Sequence, residues 1–312
     1  MAYLKAAGTK AKLSAMLSLS DNKHSRIWAP DWGQLAADTG RIHTASVKGQ
    51  TSAKFNFQNP ARGELREVFS AAPGCKLVIA DFSQIEIRVI AEITSDPELI
   101  RMLQQGIDIY VFVAAGVLGK DPVCGSAPTQ VSDTDRQLAK SLTLGLNYGM
   151  GPEMFQAQVA DQFGLELSLE VVRDMIAKFF RLFEGIAVFH ERAEVSAQSA
   201  TFARTLPLGR RRWLPKELYW NTKRKLLINT PVTGSAADCF KLAVVKVADL
   251  LPANAYFVNL LHDEIIVEAQ ESVASQAAQA LEKGMMAAYV ELFGTRIPLT
   301  VRATVSDRWR KS

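Results

Sequence analysis

Cysteine and histidine are scarce in this chain of 312 residues, which contains three cysteines and four histidines. The cysteines, Cys75, Cys124 and Cys239, are scattered, odd in number and form no CxxC pair. This spacing argues against a disulfide framework and against a structural zinc site, and it fits a reducing compartment. The small number of histidines argues against a histidine-built metal centre.

The sequence also lacks a run of about 18 apolar residues, so a membrane span is not predicted. It contains no internal repeat and no low-complexity tract. Apolar residues make up 48% and charged residues 22% of the chain, which is ordinary for a globular protein. A chain of this length can form one large domain or roughly two or three subdomains.

The net charge of +4 is distributed unevenly. Residues 1–80 contain eleven Lys or Arg against five Asp or Glu, and residues 204–225 contain eight against one. The rest of the chain is therefore acidic. Two basic blocks on a mildly acidic body indicate a polyanion bound at defined places, although charge alone fits a solvated surface equally well.

Two acidic sites follow apolar segments. The run Lys76–Ala80 is typical of a buried strand and ends at Asp81, and Ser83 with Glu86 forms a capping-box pattern that predicts a helix through about Ile93. Farther on, the runs 255–261 and 265–269 predict a tight hairpin with Asp263 and Glu264 at its tip.

Each acidic site alone is more often a helix cap or a solvated turn. Burying a carboxylate costs several kcal/mol unless a cation or hydrogen-bond donors offset it. Two carboxylates on adjacent strands can hold a pair of Mg²⁺ ions roughly 4 Å apart, one activating a hydroxyl nucleophile and the other neutralising a leaving phosphate.

A helix is predicted over 133–146. Arg136, Lys140 and Leu144 recur at intervals of four residues and therefore share one face, with Tyr148 just beyond. A guanidinium and an ammonium one turn apart suit a triphosphate, and the apolar and aromatic side chains suit a base and sugar. For a single helix, a solvated charge pair beside core residues remains the default interpretation.

The remaining patterns predict amphipathic helix within 168–200, helix at 234–250 and about 271–292, and a terminal strand from Leu299 to Val305. The fold class is therefore α+β, with strands around both acidic sites.

Seven segments, in this order, resemble motifs of the family A DNA polymerases, the DNA polymerase I-like group. The three main segments are DFSQIEIR (81–88), RQLAKSLTLGLNYG (136–149) and LLHDE (260–264), and the others are TGRIH (39–43), NFQNP (56–60), TLPLGRRRWLP (205–215) and INTPVTGSAAD (228–238). The resemblance extends over about 39–309 and is very specific in combination.

The resemblance implies a right-hand polymerase fold: an antiparallel-sheet palm with an inserted helical fingers subdomain and a truncated thumb. The implied bounds are a thumb remnant at 1–37, a palm at 38–92 and 227–312, and fingers at 93–226. Family members usually carry an exonuclease-like domain and a complete thumb before the palm. A fragment, a natural short form and one half of a split polymerase all remain open.

The implied activity is template-directed addition of deoxynucleotides to a primer 3′-hydroxyl, with release of pyrophosphate. The implied cofactor is Mg²⁺, two ions, with Mn²⁺ as a substitute. Expected partners are primer–template DNA, dNTPs and a separate thumb or exonuclease chain or processivity factor, with no membrane. The expected location is the cytoplasm of a bacterial or phage-infected cell; replication and repair are not distinguished.

By the same resemblance, Asp81 and Asp263 are the metal ligands, helped by the Phe82 carbonyl, with Glu264 close by. Lys140 is also the expected acid for the pyrophosphate leaving group, and Glu86 the group that excludes a 2′-hydroxyl. The implied nucleotide-binding residues are Arg136, Lys140, Leu144, Tyr148, Gln84, Glu86 and Tyr110. The implied DNA-binding residues are Arg41, Asn56, Asn59, Lys225, Asn229, Thr233 and His262.

Five positions depart from the family pattern. Leu144 stands where Phe or Tyr is usual, and Tyr110 where His is common. Lys225 replaces a usual Arg, and Thr233 and Leu260 each replace a usual Gln. Rate, fidelity and sugar discrimination are therefore open, whereas both aspartates, Arg136 and Lys140 are intact.

Three other functions would account for part of this pattern. A single-subunit RNA polymerase shares the aspartates and the Arg/Lys helix, but Glu86 and the DFSQIE run favour deoxynucleotides. A catalytically silent DNA-binding remnant would be expected to lose an aspartate or Lys140. A two-metal nuclease explains the carboxylates but gives the Arg136/Lys140 helix no purpose.

Overall fold

The computed structural model describes residues 20–21, 26–27, 32–34, 37–44, 64–119 and 131–310. The chain divides into two compact units, each built from separate stretches of sequence. The first unit comprises Met1–Ser83, Ala236–Leu292 and Leu299–Ser312, and the second comprises Gln84–Ser235 and Phe293–Pro298. The thumb, palm and fingers bounds stay a prediction.

The described residues form short and long strands and a larger set of helices. The strands are β1 Ser20–Asp21, β2 Arg26–Ile27, β3 Trp32–Gly33, β4 His43–Thr44, β5 Cys75–Asp81, β6 Phe202–Arg204, β7 Arg211–Trp213, β8 Ala255–Leu261, β9 Glu264–Gln270 and β10 Ala303–Ser306. The helices are α1 Glu64–Glu67, α2 Ile85–Thr94, α3 Pro97–Gln105, α4 Ile109–Val117, α5 Asp133–Asn147, α6 Pro152–Phe163, α7 Leu169–Leu182, α8 Glu184–Ser196, α9 Trp220–Asn229, α10 Ser235–Leu250 and α11 Ala274–Phe293. A π-helical turn occupies Thr230–Gly234, and a 3₁₀ turn occupies Glu271–Val273.

The first unit contains an antiparallel sheet in the order β10-β5-β9-β8. Its centre is the apolar run of β5, where Val78 and Ile79 are fully buried and pair with Val267 and Ile266. Because side chains alternate across a strand, Ile79 and Ile266 face one side, where they join a cluster with Trp309. Burial of both faces explains why β5 reads as continuous apolar sequence.

The second unit is mainly helical around a large apolar core that includes Phe155, Phe179 and Phe183. Asp96 is fully buried. Its Oδ1 caps α3 by accepting the Leu99 N–H at 2.9 Å, and its Oδ2 accepts the Gly185 N–H at 2.8 Å. The second contact fixes the start of α8 against the start of α3. The donors offset the cost of burying this charge.

Most of the predicted elements are confirmed, including the helix within 168–200, with three corrections. Helix α5 begins after Ser132, as expected, but Ser83 does not cap α2: Gln84 adopts a left-handed conformation (φ 52°), and α2 begins at Ile85 without a side-chain cap. The pattern over 168–200 forms two helices broken at Phe183. The hairpin turn contains two residues rather than three, because Glu264 pairs into β9, and the last strand is only Ala303–Ser306.

Candidate active site

Two of the predicted metal ligands lie at one end of the sheet in the first unit. Strand β5 ends at Asp81, which is paired with Glu264, the first residue of β9. The next residue, Phe82, donates its N–H to the Asp263 carbonyl at 3.0 Å. His262 takes the left-handed position of the turn (φ 51°), which lets the chain reverse within two residues and place Asp263 beside the end of β5.

Glu264 is in a different environment. Its side chain is only 5% exposed and accepts the indole N–H of Trp309 at 2.8 Å. The Arg66 guanidinium lies 3.6 Å from the other carboxylate oxygen and 4.7 Å from the Trp309 ring centroid. The charge of Glu264 is thus offset by two buried or nearly buried donors. Sequence reasoning missed Arg66 and Trp309, because no local pattern links residues this far apart.

The donor set at this end of the sheet fits a hard divalent cation. Among the described residues, the Asp81 carboxylate has no hydrogen bond or ion pair with another side chain, and within those ranges no three His, Cys, Asp or Glu side chains cluster as a metal site. A pair of aspartates with a backbone carbonyl suits Mg²⁺, which typically binds one or two carboxylates and completes its shell with water and substrate phosphates.

In the second unit, the predicted cationic face of α5 is preorganised by Asp108. Arg136 donates to Asp108 Oδ2 through Nε at 2.9 Å and approaches it through Nη2 at 2.8 Å. The other oxygen, Oδ1, accepts the N–H groups of Tyr110 and Val111 and caps α4. One carboxylate therefore fixes both the start of α4 and the guanidinium on α5. The sequence offered no signal for this pair beyond an Asp at a helix start.

Tyr110 lies close to both cations of α5. The Arg136 guanidinium is 5.5 Å and the Lys140 ammonium 5.6 Å from the centre of its ring, within the range of cation–π attraction. Burial, with the negative charge of Asp108 second, raises the pKa of Tyr110 above its ordinary value. The phenol therefore stays neutral at physiological pH and can donate a hydrogen bond.

Glu86 and Tyr148 meet in the second unit. The Tyr148 hydroxyl donates to the Glu86 carboxylate, which joins the first turn of α2 to the end of α5. Gln84 is exposed at the left-handed residue before α2, and Leu144 is half-buried against the apolar core. The structure therefore brings Glu86 and Tyr148 together, and separately Arg136, Lys140 and Tyr110.

The predicted DNA-binding residues divide between the units. Asn229 donates to the Thr233 hydroxyl at 3.3 Å across the π-helical turn. Lys225 on α9 lies against Gly149, whose φ of 73° suits glycine. The others are Arg41, half-buried beside Thr39, and His262, exposed in the turn of the first unit; Asn56 and Asn59 lie outside the described residues.

The basic segment carries exposed aromatic rings that the sequence argument did not use. Strands β6 and β7 form a two-stranded ribbon in which Arg211 lies over the Phe202 ring, 4.7 Å from its centroid. Trp213 is 67% and Tyr219 84% exposed. Arginines interleaved with exposed rings are typical of surfaces that contact nucleic acid, and the alternation was visible in the sequence.

The mixed helical and antiparallel-sheet fold is that of a polymerase domain. The sequence profile of DNA polymerase family A matches residues 1–311, and the chain belongs to that family. Members generally use divalent metal ions. The predicted resemblance and α+β fold are thus confirmed.

Named relatives give the extent of the likeness. The chain is 33% identical to DNA polymerase I of Aquifex aeolicus over 298 residues, 93% of this chain and 47% of the relative, and 34% identical to that of Chloroflexus aurantiacus over 87% of this chain and 29% of the relative. The polymerase domain of Pol1 from M. smegmatis, solved with DNA primer-template and dNTP, matches 99% of this chain and 52% of its own, with a TM-score of 0.82 and 26% identity. The chain therefore spans about half or less of the length of these proteins.

Within the described ranges, none of the helices combines the length and apolar character that crossing a membrane requires. The cytoplasmic location stays a prediction.

Proposed function

We propose that this chain catalyses template-directed DNA synthesis, adding deoxynucleotides to a primer 3′-hydroxyl and releasing pyrophosphate. The observation that carries the proposal is the junction of Asp81 and Asp263 at one end of the sheet in a family A chain. A relative of the same fold was solved with DNA primer-template and dNTP, which supports the same two partners here.

Asp81 and Asp263, with the Phe82 carbonyl, would hold two Mg²⁺ ions. When bound, such ions lower the pKa of a hydroxyl nucleophile and neutralise charge on a reacting phosphate. The chain's own contribution is to place one carboxylate at the end of β5 and the other in the adjoining β8–β9 turn. We assign Glu264 to positioning rather than ligation, because Trp309 and Arg66 already engage its carboxylate.

Arg136 and Lys140 would bind the triphosphate, since their charges are one helical turn apart and Asp108 orients the guanidinium. Lys140 is positioned on the same face to give a proton to the leaving pyrophosphate oxygen. Glu86 would exclude a ribose 2′-hydroxyl, and its bond to Tyr148 holds the carboxylate in one orientation. A neutral Tyr110 beside both cations would donate to a phosphate oxygen.

In the second unit, the basic surface of β6, β7 and α9 would contact the primer–template duplex, together with Asn229 and Thr233. In the first unit, Arg41 and His262 would contact it, and the family resemblance implies the same role for Asn56 and Asn59. Contacts to backbone and minor groove position a duplex without reading its sequence, which is what copying requires. A separate thumb or exonuclease chain, or a processivity factor, is a further proposed partner.

A primer-extension assay with Mg²⁺ tests the proposal. Asp81→Asn and Asp263→Asn should each abolish extension, because an amide cannot replace a charged ligand, while affinity for primer–template measured by fluorescence anisotropy stays near that of the unmodified chain. Asp307→Asn is the matched control, since Asp307 is paired with Lys76 away from the site. Near-normal extension by either site variant would contradict the metal assignment.

The same assay separates the rival functions. Supplying ribonucleotides and deoxynucleotides on one primer–template distinguishes an RNA polymerase from a DNA polymerase. Binding without extension by the unmodified chain would indicate a DNA-binding remnant, and Mg²⁺-dependent shortening of the primer would indicate a nuclease.

A further inference from the structure

A pocket of about 480 Å³, lined by polar and charged residues, opens beside Asp81 in the first unit. It is lined by Asp81, Ser83, Thr300, Arg302 and Thr304, of which all but Asp81 were absent from the predicted site. The lining therefore contains one carboxylate, one guanidinium and three hydroxyl groups. Arg302, the positively charged residue of this lining, belongs to the first unit, whereas Arg136 and Lys140 belong to the second.

The pairing of β10 with β5 explains why these side chains converge. Thr304 is opposite Ile79 and Ala303 is opposite Ala80, so one further step of the same antiparallel register brings Arg302 opposite Asp81. Opposed residues in an antiparallel pair project from the same face, and residues two apart do so as well. The edge strand therefore delivers Arg302 and Thr304 to the face that carries Asp81.

Arg302 is not used to neutralise a neighbour. Among the described residues, no hydrogen bond or ion pair of its guanidinium is present, and no ion pair within 4.0 Å joins it to Asp81. Its side chain is exposed, whereas Asp81 is half-buried. An exposed arginine with a planar fork of donors, beside three hydroxyls, is suited to a phosphate group, which it can bind through two parallel hydrogen bonds.

The carboxylate in the same pocket restricts what kind of anion can enter. A free phosphate would be repelled by Asp81, but a phosphate that also contacts a divalent cation on Asp81 would be attracted by the cation and by Arg302 together. We infer that this pocket binds a phosphate group beside the metal ions at Asp81, with Arg302 as its charged donor and the hydroxyls of Ser83, Thr300 and Thr304 as neutral donors. The inference rests on the proposed polymerase function.

Two sources present this chemistry in the proposed reaction. One is the polyphosphate of the incoming nucleotide or the pyrophosphate released from it, and the other is a backbone phosphate of the primer. Both are phosphate oxyanions, so the binding experiment must measure each of them separately.

The test compares Arg302→Gln, Arg302→Lys and the control Arg310→Gln, which removes the same charge from an exposed arginine near Glu67 in the same unit. The affinity for inorganic pyrophosphate with Mg²⁺ is measured by calorimetry, and the affinity for primer–template DNA by anisotropy. Arg302→Gln should weaken one of these about tenfold, Arg302→Lys should weaken it less because the charge remains, and Arg310→Gln should change neither.

Loss of pyrophosphate affinity assigns the pocket to the polyphosphate, and loss of DNA affinity beyond that of Arg310→Gln assigns it to the primer. The inference would be overturned if Arg302→Gln bound pyrophosphate as tightly as the unmodified chain does and also bound primer–template DNA as tightly. That outcome is distinguishable from failure of the proposed function, in which the unmodified chain itself would not extend a primer. Unfolding curves for all variants verify that the exposed substitutions leave the fold intact.

Discussion

Asp108 shows how one side chain prepares a site. Its two oxygens have separate tasks, since Oδ1 caps α4 and Oδ2 accepts from Arg136. A guanidinium held in place before the ligand arrives loses less conformational freedom on binding. Asp108 is therefore a positioning residue of the proposed nucleotide site.

The substitution Asp108→Asn separates those two tasks. Asparagine remains a good helix cap, so stability should fall by less than about 1 kcal/mol. The charged partner of Arg136 is lost, and because this pair is partly exposed we expect the KM for dNTP to rise only about three- to tenfold. Steady-state extension kinetics measure the change. Asp133→Asn, which removes a charge from the first turn of α5, is the control, and an unchanged KM in Asp108→Asn would contradict the positioning role.

His190 gives the second unit a pH-dependent stability. The imidazole is 5% exposed among Phe180 and Phe189, and both ring nitrogens lack a hydrogen-bond partner among the described residues. Burial, with the charge of Arg224 second, lowers the pKa of His190 to about 4. The ring therefore stays neutral in the folded state, whereas in the unfolded chain it takes up a proton near its ordinary pKa of 6.5.

The difference between the folded and unfolded pKa values sets the direction in which stability changes with pH. Because the folded pKa is depressed, the contribution of His190 to stability is complete above about pH 6.5 and is lost as the pH falls toward 4. At pH 5 the free energy of unfolding should have fallen by about 2 kcal/mol. His190→Phe should remove this part of the pH dependence. Urea unfolding of both proteins at pH 7 and pH 5 measures it, and an equal loss of stability in the two proteins would contradict the account.

At the scale of elements, the β6–β7 ribbon is the clearest candidate for contact with nucleic acid. It combines closely spaced arginines with exposed rings, and a ribbon on the surface leaves both available. Phosphate contacts of this kind dominate affinity and release counterions, so they weaken as salt rises.

The double substitution Arg211→Ala/Arg212→Ala should weaken primer–template binding and lower the slope of log affinity against log salt by roughly one to two. Anisotropy titrations at several salt concentrations give the slope. Arg173→Ala/Arg181→Ala on α7 removes the same charge elsewhere in the second unit and should change the slope less. Equal slopes in the two double variants would show that the ribbon has no special role.

At the scale of the whole molecule, each compact unit is assembled from separated stretches of chain. The first unit therefore depends on contacts between its late helices as well as on its sheet. Gly284 of α11 meets α10 so closely that an added Cβ would lie 2.6 Å from Val247 Cγ2 and 2.8 Å from the Val247 backbone nitrogen. The backbones can approach only because the glycine has no side chain.

The substitution Gly284→Ala should destabilise the first unit by about 1–3 kcal/mol, because the two helices must move apart. Hydrogen exchange followed by mass spectrometry should show that the substitution accelerates exchange in β5 and β9, relative to the unmodified chain, more than it does in the apolar core of the second unit. Lys283→Ala, an exposed change on the same helix, is the control. Exchange as slow as in the unmodified chain would show that the helices absorb the methyl group without cost.

The sequence by itself determined the family, the α+β class and the position of most long elements, because apolar periodicity and contiguous motifs are local properties of the chain. It indicated Asp81 and Asp263 as partners, since each follows a segment that reads as a strand. Only the tertiary structure decided that Glu264 pairs into β9 and is held by Trp309 and Arg66, that Asp108 orients Arg136, and that Arg302 reaches the face of Asp81. Those relations depend on strand register and on contacts between residues far apart in sequence. A register shift of one residue, for example, would send Glu264 or Arg302 to the opposite face of the sheet.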